Sequence, residues 1–359
     1  MKRQFLSILA ISAIIPISAF NAGNYTSKEV TFNNDTIKLV GTLTVPNDVR
    51  KAPVAIILSG TGQQDRDGNM SGHRMFADIA DYLGNRGIAV LRFDDRGTGD
   101  STGDYGTSTT EDFAKDGLAA IECLKTRGDI DPSRIGFIGH SEGGAAMSIA
   151  ASRSEDVKFM VSLAGLCSDG LNALIRQNED LVSSYNLPDH DVKRYNVVNE
   201  LMFRVAYKYG DSDSLETKLQ ETYDKWHAVD SIYFSTLNQE FDHLRFPIYM
   251  YKMQASGPWY RFHIRYNPAD YLKDVHIPVL ALNGDKDKMV NSKTHLAGWK
   301  NNLPEGADLT TIELKGLNHL FLPCETGLPT EYASIKAPLS QEMLEIVANW
   351  ITEKTKYAK

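Results

Sequence analysis

Cysteine is scarce in this chain. Cys123, Cys167 and Cys324 are the only three among 359 residues, which excludes a disulfide framework as the main source of stability and offers no zinc-ligand spacing. Three free thiols are expected, and no metal. Basic residues are also in short supply: 38 lysines and arginines stand against 46 aspartates and glutamates, a formal charge of −8. So acidic a chain is poorly suited to nucleic acid. Nor is there an apolar stretch of the roughly 20 residues that span a bilayer. The N-terminal run from Phe5 to Ile17 falls short of that, and Pro16 interrupts it, so no stable membrane anchor is expected.

What the N-terminus does contain is Lys2 and Arg3, that apolar run, and then small residues at Ser18, Ala19 and Ala22. This is the three-part layout of a secretory signal peptide. Residues 1–22 are therefore expected to be a leader, cut after Ala19 or Ala22, and the protein to be periplasmic or secreted. No cysteine lies near the cleavage region, which argues against a lipoprotein. Two positive and no negative charges fall within the leader, so its removal takes the formal charge from −8 to −10. The remaining length, about 340 residues, suits one large domain with an insertion, or two domains.

Glu29 to Val45 reads as a hairpin turning at Asn33, Asn34 and Asp35. Val54 to Leu58 is then an unbroken apolar run ending in Ser59-Gly60-Thr61-Gly62, the pattern of a strand buried on both faces and followed by a glycine-rich loop. Met75, Phe76, Ile79, Ala80 and Leu83 recur at helical spacing, and Ile88 to Leu91 is a second buried strand. Thr110, followed by Glu111 and Asp112, reads as an N-cap with acidic first-turn residues. Ile135 to Ile138 is a third strand, Ala145 to Ala151 a helix of small residues, and Phe159 to Leu163 a fourth strand. Alternating strands and helices imply an α/β protein with a mainly parallel central sheet flanked by helices. Between about Ser168 and Tyr266 the chain turns polar, helical and aromatic, and the alternation resumes only at Ile277 to Leu282, then at Leu309 to Leu314, before a last helix from Gln341 to Ile351. The simplest organisation is a core in two parts, 23–167 and 267–359, interrupted by a helical cap insertion over 168–266.

The chemistry centres on Gly139-His140-Ser141-Glu142-Gly143. Composition alone gives roughly 0.1 accidental occurrences of Gly-x-Ser-x-Gly in a chain of this length, and here the motif sits between a buried strand and a helix, as a nucleophile elbow requires. A serine on so sharp a turn needs a strained backbone, and flanking glycines remove the clashes that would forbid it. Its hydroxyl is a weak nucleophile without a base and a group to orient that base. His319 and Asp287 each follow a late strand, in the order Ser, Asp, His, with Asp285 competing for the acid. His140 is expected to be packed or hydrogen-bonded within the elbow. The oxyanion of a tetrahedral intermediate needs preorganised N–H donors: the backbone N–H of Glu142 is one, and the loop after Leu58 supplies the other, at Thr61 or, alternatively, Gly62.

Several segments together resemble bacterial α/β hydrolases of the serine-aminopeptidase-like group that includes esterase D type carboxylesterases. They are Ser59-Gly60-Thr61-Gly62 with Gln64-Asp65-Arg66-Asp67-Gly68, Asp95-Arg96-Gly97-Thr98-Gly99 before Ser101, the elbow, Pro258-Trp259-Tyr260-Arg261-Phe262, and Gly316-Leu317-Asn318-His319-Leu320-Phe321. The resemblance implies the α/β-hydrolase fold with a cap over the strand ends. Its Gly-x-x-Asp-x-x-Val pattern is matched by Gly284, Asp287 and Val290, which favours Asp287 over Asp285. It also implies a structural role for Asp95 and Arg96, while Asp65 and Arg66 belong either to the loop's structure or to the site's entrance. Trp259, Tyr260 and Phe262 are candidates to line an acyl or alcohol pocket, although a place in the cap's core is the reading we favour.

The expected reaction is hydrolysis of a small-molecule or carbohydrate ester through an acyl-enzyme, without a cofactor. An aminopeptidase with the same triad is the main rival, and it would need a cap carboxylate such as Glu179, Asp180, Glu200 or Asp224 to hold a free amine. A non-catalytic binding protein on the same fold is a weaker rival, since every expected position is filled.

Overall fold

The structure is a computed structural model that describes residues 23–356; the expected leader, residues 1–22, lies outside the described residues. Strands β1 (Tyr25–Asn34) and β2 (Ile37–Pro46) form the opening antiparallel hairpin. Six more follow: β3 (Ala52–Leu58), β4 (Ala89–Phe93), β5 (Ile130–His140), β6 (Met160–Leu163), β7 (Val279–Gly284) and β8 (Leu309–Leu314). They join one eight-stranded sheet in the order β1-β2-β4-β3-β5-β6-β7-β8. Pairing is antiparallel from β1 through β4 and parallel from there to β8.

The core helices in chain order are α1 (Met75–Gly84), α2 (Thr110–Lys125) and α3 (Gly143–Ala151). The cap contributes α4 (Gly170–Val182), α5 (Asp189–Tyr209), α6 (Leu215–Ser235), α7 (Ile248–Ser256) and α8 (Pro258–His263). The core resumes with α9 (Ala269–Leu272), α10 (Ser292–Asn302) and α11 (Gln341–Lys354). Every residue of β3 is buried, because its alternate side chains serve two cores. Val54, Ile56 and Leu58 pack with Ala120 and Ile121 of α2 and Met147 and Ile149 of α3. Ala55 and Ile57 pack with Ile79 and Leu83 of α1 and Val347 and Ile351 of α11. A separate third core, including Met202, Leu219, Trp226, Tyr251 and Tyr260, holds the cap together. Within it Arg194 is buried and donates to Asp230, Asp191 and Asp242.

Two local expectations are corrected. Helix α2 is capped by Thr109, not Thr110: Thr109 and Asp112 form the capping box, and the Thr110 hydroxyl is turned inward, 2.6 Å from Glu142 Oε1. Strand β5 starts at Ile130 rather than Ile135, because the polar segment Asp131-Pro132-Ser133-Arg134 is carried in the strand across a register shift opposite Ala52 and Val54. Cys123, Cys167 and Cys324 are free thiols. Among the described residues no helix is long and apolar enough to cross a membrane.

Candidate active site

Ser141 follows β5 directly and has φ +54°, the left-handed region that costs an ordinary side chain energy. Contacts on every side hold it there. Its N–H donates to the Leu163 carbonyl at the end of β6 (3.1 Å), and its carbonyl accepts from Leu166 (2.9 Å). A side chain at 139 would place Cβ 2.4 Å from the Gly143 carbonyl oxygen, and one at 143 would place it 2.2 Å from that of Leu58. Glycine is thus required at both positions by close backbone approach.

His319 lies in the loop after β8, shaped by Asn318, whose Oδ1 accepts the N–H groups of Leu320 and Leu322, both at 3.0 Å. Its Nδ1 donates to Asp287 Oδ2 at 2.8 Å. Asp287 is itself held firmly: Oδ1 accepts from Met289 N (2.8 Å) and Val290 N (2.9 Å), and Asn283 Nδ2 donates to Oδ2 at 3.3 Å. Asp285 points elsewhere, accepting from Gly316 N at 2.7 Å and facing Lys315. The geometry therefore pairs His319 with Asp287 and not with Asp285. His140 is buried beside the elbow, and its Nε2–H donates to the His319 carbonyl at 3.1 Å. Burial, reinforced by His319, pushes its pKa down to about 3, so the ring is neutral with a bare Nδ1.

Of the two loop candidates for the second oxyanion donor, Gly62 is engaged: its N–H donates to the Tyr105 hydroxyl at 2.7 Å. The N–H groups of Thr61 and Glu142 have no protein acceptor among the described residues. The loop that carries Thr61 is braced by Asp95, which accepts from Ser59 Oγ (2.6 Å) and Gln64 N (2.8 Å). Arg96 pairs with buried Asp116 at 2.6 Å, Arg66 with Asp94 at 2.6 Å, and Asp65 Oδ1 accepts from Asp67 N at 3.0 Å, so these three side chains, like that of Asp95, are engaged in loop structure.

Burial, with a smaller contribution from Glu142, pushes the Asp95 carboxyl up to about 7, against the pull of its two hydrogen bonds. A raised folded pKa means the folded state holds this proton more tightly than the unfolded chain. Its stabilising contribution is complete below about pH 4 and is lost as pH rises to about 7. Asp95→Asn mimics the protonated form and does not titrate. The melting temperature of the variant relative to the parent is expected to climb as pH goes from 4 to 7, and a difference independent of pH would contradict this.

The sequence pointed only to the backbone of Glu142, yet its side chain is central. The buried carboxylate accepts from Thr61 Oγ1 (2.8 Å) on the oxyanion loop, Thr110 Oγ1 (2.6 Å) on α2 and Trp259 Nε1 (2.8 Å) on α8 of the cap. His263 stacks on Trp259 at 4.7 Å, with its pKa lowered by burial and partly restored by Glu142. One carboxylate thereby ties cap, core and the loop carrying Thr61 together. Glu142→Gln replaces one acceptor oxygen with a donor while leaving the backbone N–H in place. Losing such bonds costs about 1.5–3 kcal/mol, so kcat/KM for p-nitrophenyl butyrate is expected to fall roughly tenfold to a hundredfold. A value within twofold of the parent would remove Glu142 from the site's architecture.

Ser141 and His319 open into a cavity of about 310 Å³. Leu166, Ala173, Leu174, Met289, Val290 and Trp259 supply much of its apolar surface, and none of the residues bordering it is Asp, Glu, Lys or Arg. The cap is tied above it by Gln177 Nε2 to the Met289 carbonyl (2.9 Å) and Asn291 Nδ2 to Asp180 Oδ2 (2.8 Å). Of the three aromatic candidates only Trp259 borders the cavity. Tyr260 lies in the cap's core and not on the cavity, its hydroxyl meeting that of Tyr251 at 2.8 Å. Phe262 is corrected to packing against the core beneath. On this short helix Tyr260 points about 100° away from Trp259, which turns it out of the wall that Trp259 forms. Gln64 and Tyr332 also border the cavity. The sequence did not single them out: Gln64 was read only as part of the loop, and nothing local marked Tyr332. Among the described residues no group of three or more His, Cys, Asp or Glu is placed to hold a metal ion.

Residues 35–311 match the X-Pro dipeptidyl-peptidase (S15) family. Esterase EstD of Thermotoga maritima is 22% identical over 331 residues, covering 92% of this chain and 68% of EstD. The alpha/beta hydrolase GrgF from Penicillium sp. sh18 superposes with a TM-score of 0.55 at 18% identity, covering 92% of this chain and 100% of that one. The Pyrococcus furiosus esterase PF2001 does so at 0.54 and 16% identity, covering 92% and 91%. Both likenesses are of fold.

Proposed function

Because this chain belongs to the X-Pro dipeptidyl-peptidase (S15) family and is a hydrolase of α/β-hydrolase fold, we propose that it is an exported serine carboxylesterase acting through an acyl-enzyme on Ser141. The observation that carries this reading is the His319–Asp287 pair at 2.8 Å opening with Ser141 into one cavity bordered by no charged side chain. Asp287 fixes Nδ1 as the protonated nitrogen, leaving Nε2 to take the Ser141 proton as Oγ attacks the ester carbonyl. The N–H groups of Thr61 and Glu142 receive the oxyanion. His319 then protonates the leaving alcohol, and water activated by the same nitrogen releases the acid. A cavity of about 310 Å³ is at the small end for ligand sites, which favours short acyl chains.

Esters are favoured over peptides despite the family's name. Glu179, Asp180, Glu200 and Asp224 do not border the cavity, and the carboxylate of Glu142 is occupied by three donors. A substrate's free α-amine would find no anion there. The deciding experiment compares p-nitrophenyl acetate, butyrate and octanoate with amino-acid and Gly-Pro p-nitroanilides. Turnover is expected for the short esters, and faster turnover of an anilide would replace this reading with the peptidase.

A further inference from the structure

In the proposed reaction the Thr61 N–H has to point at a charge that exists only once the ester carbon becomes tetrahedral. The loop carrying it lies against the nucleophile: a Cβ at Gly60 would stand 2.9 Å from Ser141 Cβ and 3.4 Å from Ser141 Oγ. Yet Thr61, Gly62 and Gln63 are all exposed, and among the described residues none of them makes a hydrogen bond to another backbone group. Side chains alone hold this stretch in place.

Two of those side-chain contacts are short. Glu142 Oε2 accepts from Thr61 Oγ1 at 2.8 Å, and the Tyr105 hydroxyl accepts from Gly62 N at 2.7 Å. A third, from Gln63 Nε2 to the Gly97 carbonyl, is stretched to 3.4 Å. Gly62 has φ +97°, and a glycine has many neighbouring conformations to drift into unless something holds it. Tyr105 is itself rigidly placed. It opens the 3₁₀ turn Tyr105–Thr107, capped by Asp104, whose carboxylate accepts from Gly106 N at 2.9 Å. Its ring stacks on Phe113 of α2 with centroids 5.1 Å apart. Burial, reinforced by Glu142, raises its pKa against the pull of the Gly62 N–H, so the hydroxyl stays neutral.

The peptide joining Thr61 to Gly62 is planar, so a bond to Gly62 N fixes the plane on one side of Thr61 Cα while Glu142 fixes the Thr61 side chain. We propose that Tyr105 is a positioning residue for the oxyanion site, holding Gly62 and through it the direction of the Thr61 N–H. This rests on the esterase reading, and it gives a part in the transition state to a residue that does not border the cavity. A ground-state ester carbonyl gains little from that alignment, so the cost of losing it falls on kcat and not on KM.

Tyr105→Phe tests it, because the ring can still stack on Phe113 and only the oxygen is removed. Rates are taken per active site, titrated with a fluorophosphonate, so that the amount of folded enzyme cancels. Losing an oxyanion donor outright costs about 10²–10³-fold in kcat. Here the N–H remains but is loosely aimed, so kcat for p-nitrophenyl butyrate is expected to fall about tenfold, with KM within about twofold of the parent. The Ki of 1,1,1-trifluorohexan-2-one, whose adduct with a serine hydroxyl carries the same oxyanion, is expected to rise by about the same factor. A purely structural role for Tyr105 would lower the melting temperature and move neither quantity. A fall in kcat of less than about threefold, a loss carried by KM, or an unchanged ketone Ki overturns the assignment while leaving the esterase intact. Absence of Ser141-dependent ester turnover in the parent is the separate outcome that removes the esterase reading and the role of Tyr105 with it.

Discussion

Ser141→Ala is expected to lower kcat for p-nitrophenyl butyrate by about 10⁴–10⁶-fold, the range for loss of a triad serine, and to abolish labelling by a fluorophosphonate probe. The size follows from the placement of the hydroxyl. It is the only part of the side chain that alanine lacks, and the backbone at φ +54° is held by Leu163, Leu166, Gly139 and Gly143 rather than by the oxygen. Folding should therefore be little changed and the loss should fall on kcat. Residual activity from the oxyanion N–H groups is expected to survive, since neither Thr61 nor Glu142 is touched. A rate within tenfold of the parent would mean that another group attacks the ester.

Asp287→Asn is expected to cost about 10³–10⁴-fold in kcat, with a much smaller change in KM. Oδ1 can still accept from Met289 N and Val290 N, which directs the new amide nitrogen toward His319 Nδ1 and Asn283 Nδ2. Two donors then face each other. His319 is driven to the tautomer with its proton on Nε2, where it cannot receive the proton of Ser141. Asp285→Asn supplies the contrast, because its carboxylate accepts from Gly316 N and is 25% exposed beside Lys315. It is expected to change kcat less than threefold. If the Asp285 variant proved the more damaged of the two, the assignment of the acid would be reversed.

The parts of this site that were legible in the sequence are those whose geometry is dictated by near neighbours. The elbow could be recognised because strand, turn and helix lie consecutively around Gly139 and Gly143. Asp287 and His319 could be found because each follows a strand whose apolar run announces it, although choosing Asp287 over Asp285 needed the family pattern. The cap showed as the place where the strand and helix rhythm stops.

Other features depended on which distant surface each side chain meets. Trp259, Tyr260 and Phe262 looked alike in the sequence, yet one borders the cavity, one enters the cap's core and one packs on the core beneath. Thr110 read as the cap in the sequence, yet Thr109 holds that place and the Thr110 hydroxyl meets Glu142 instead.

By itself, the sequence determined the sheet's strands, the turn at Ser141 and the order of Ser141, Asp287 and His319, because backbone propensity and residue periodicity act over a few positions. Only the tertiary structure decided that Glu142 joins the cap to the loop carrying Thr61, and that Gln64, His140 and Tyr332 border one cavity. Those arrangements are set by packing between segments far apart in the chain, and no local pattern encodes which of them will meet.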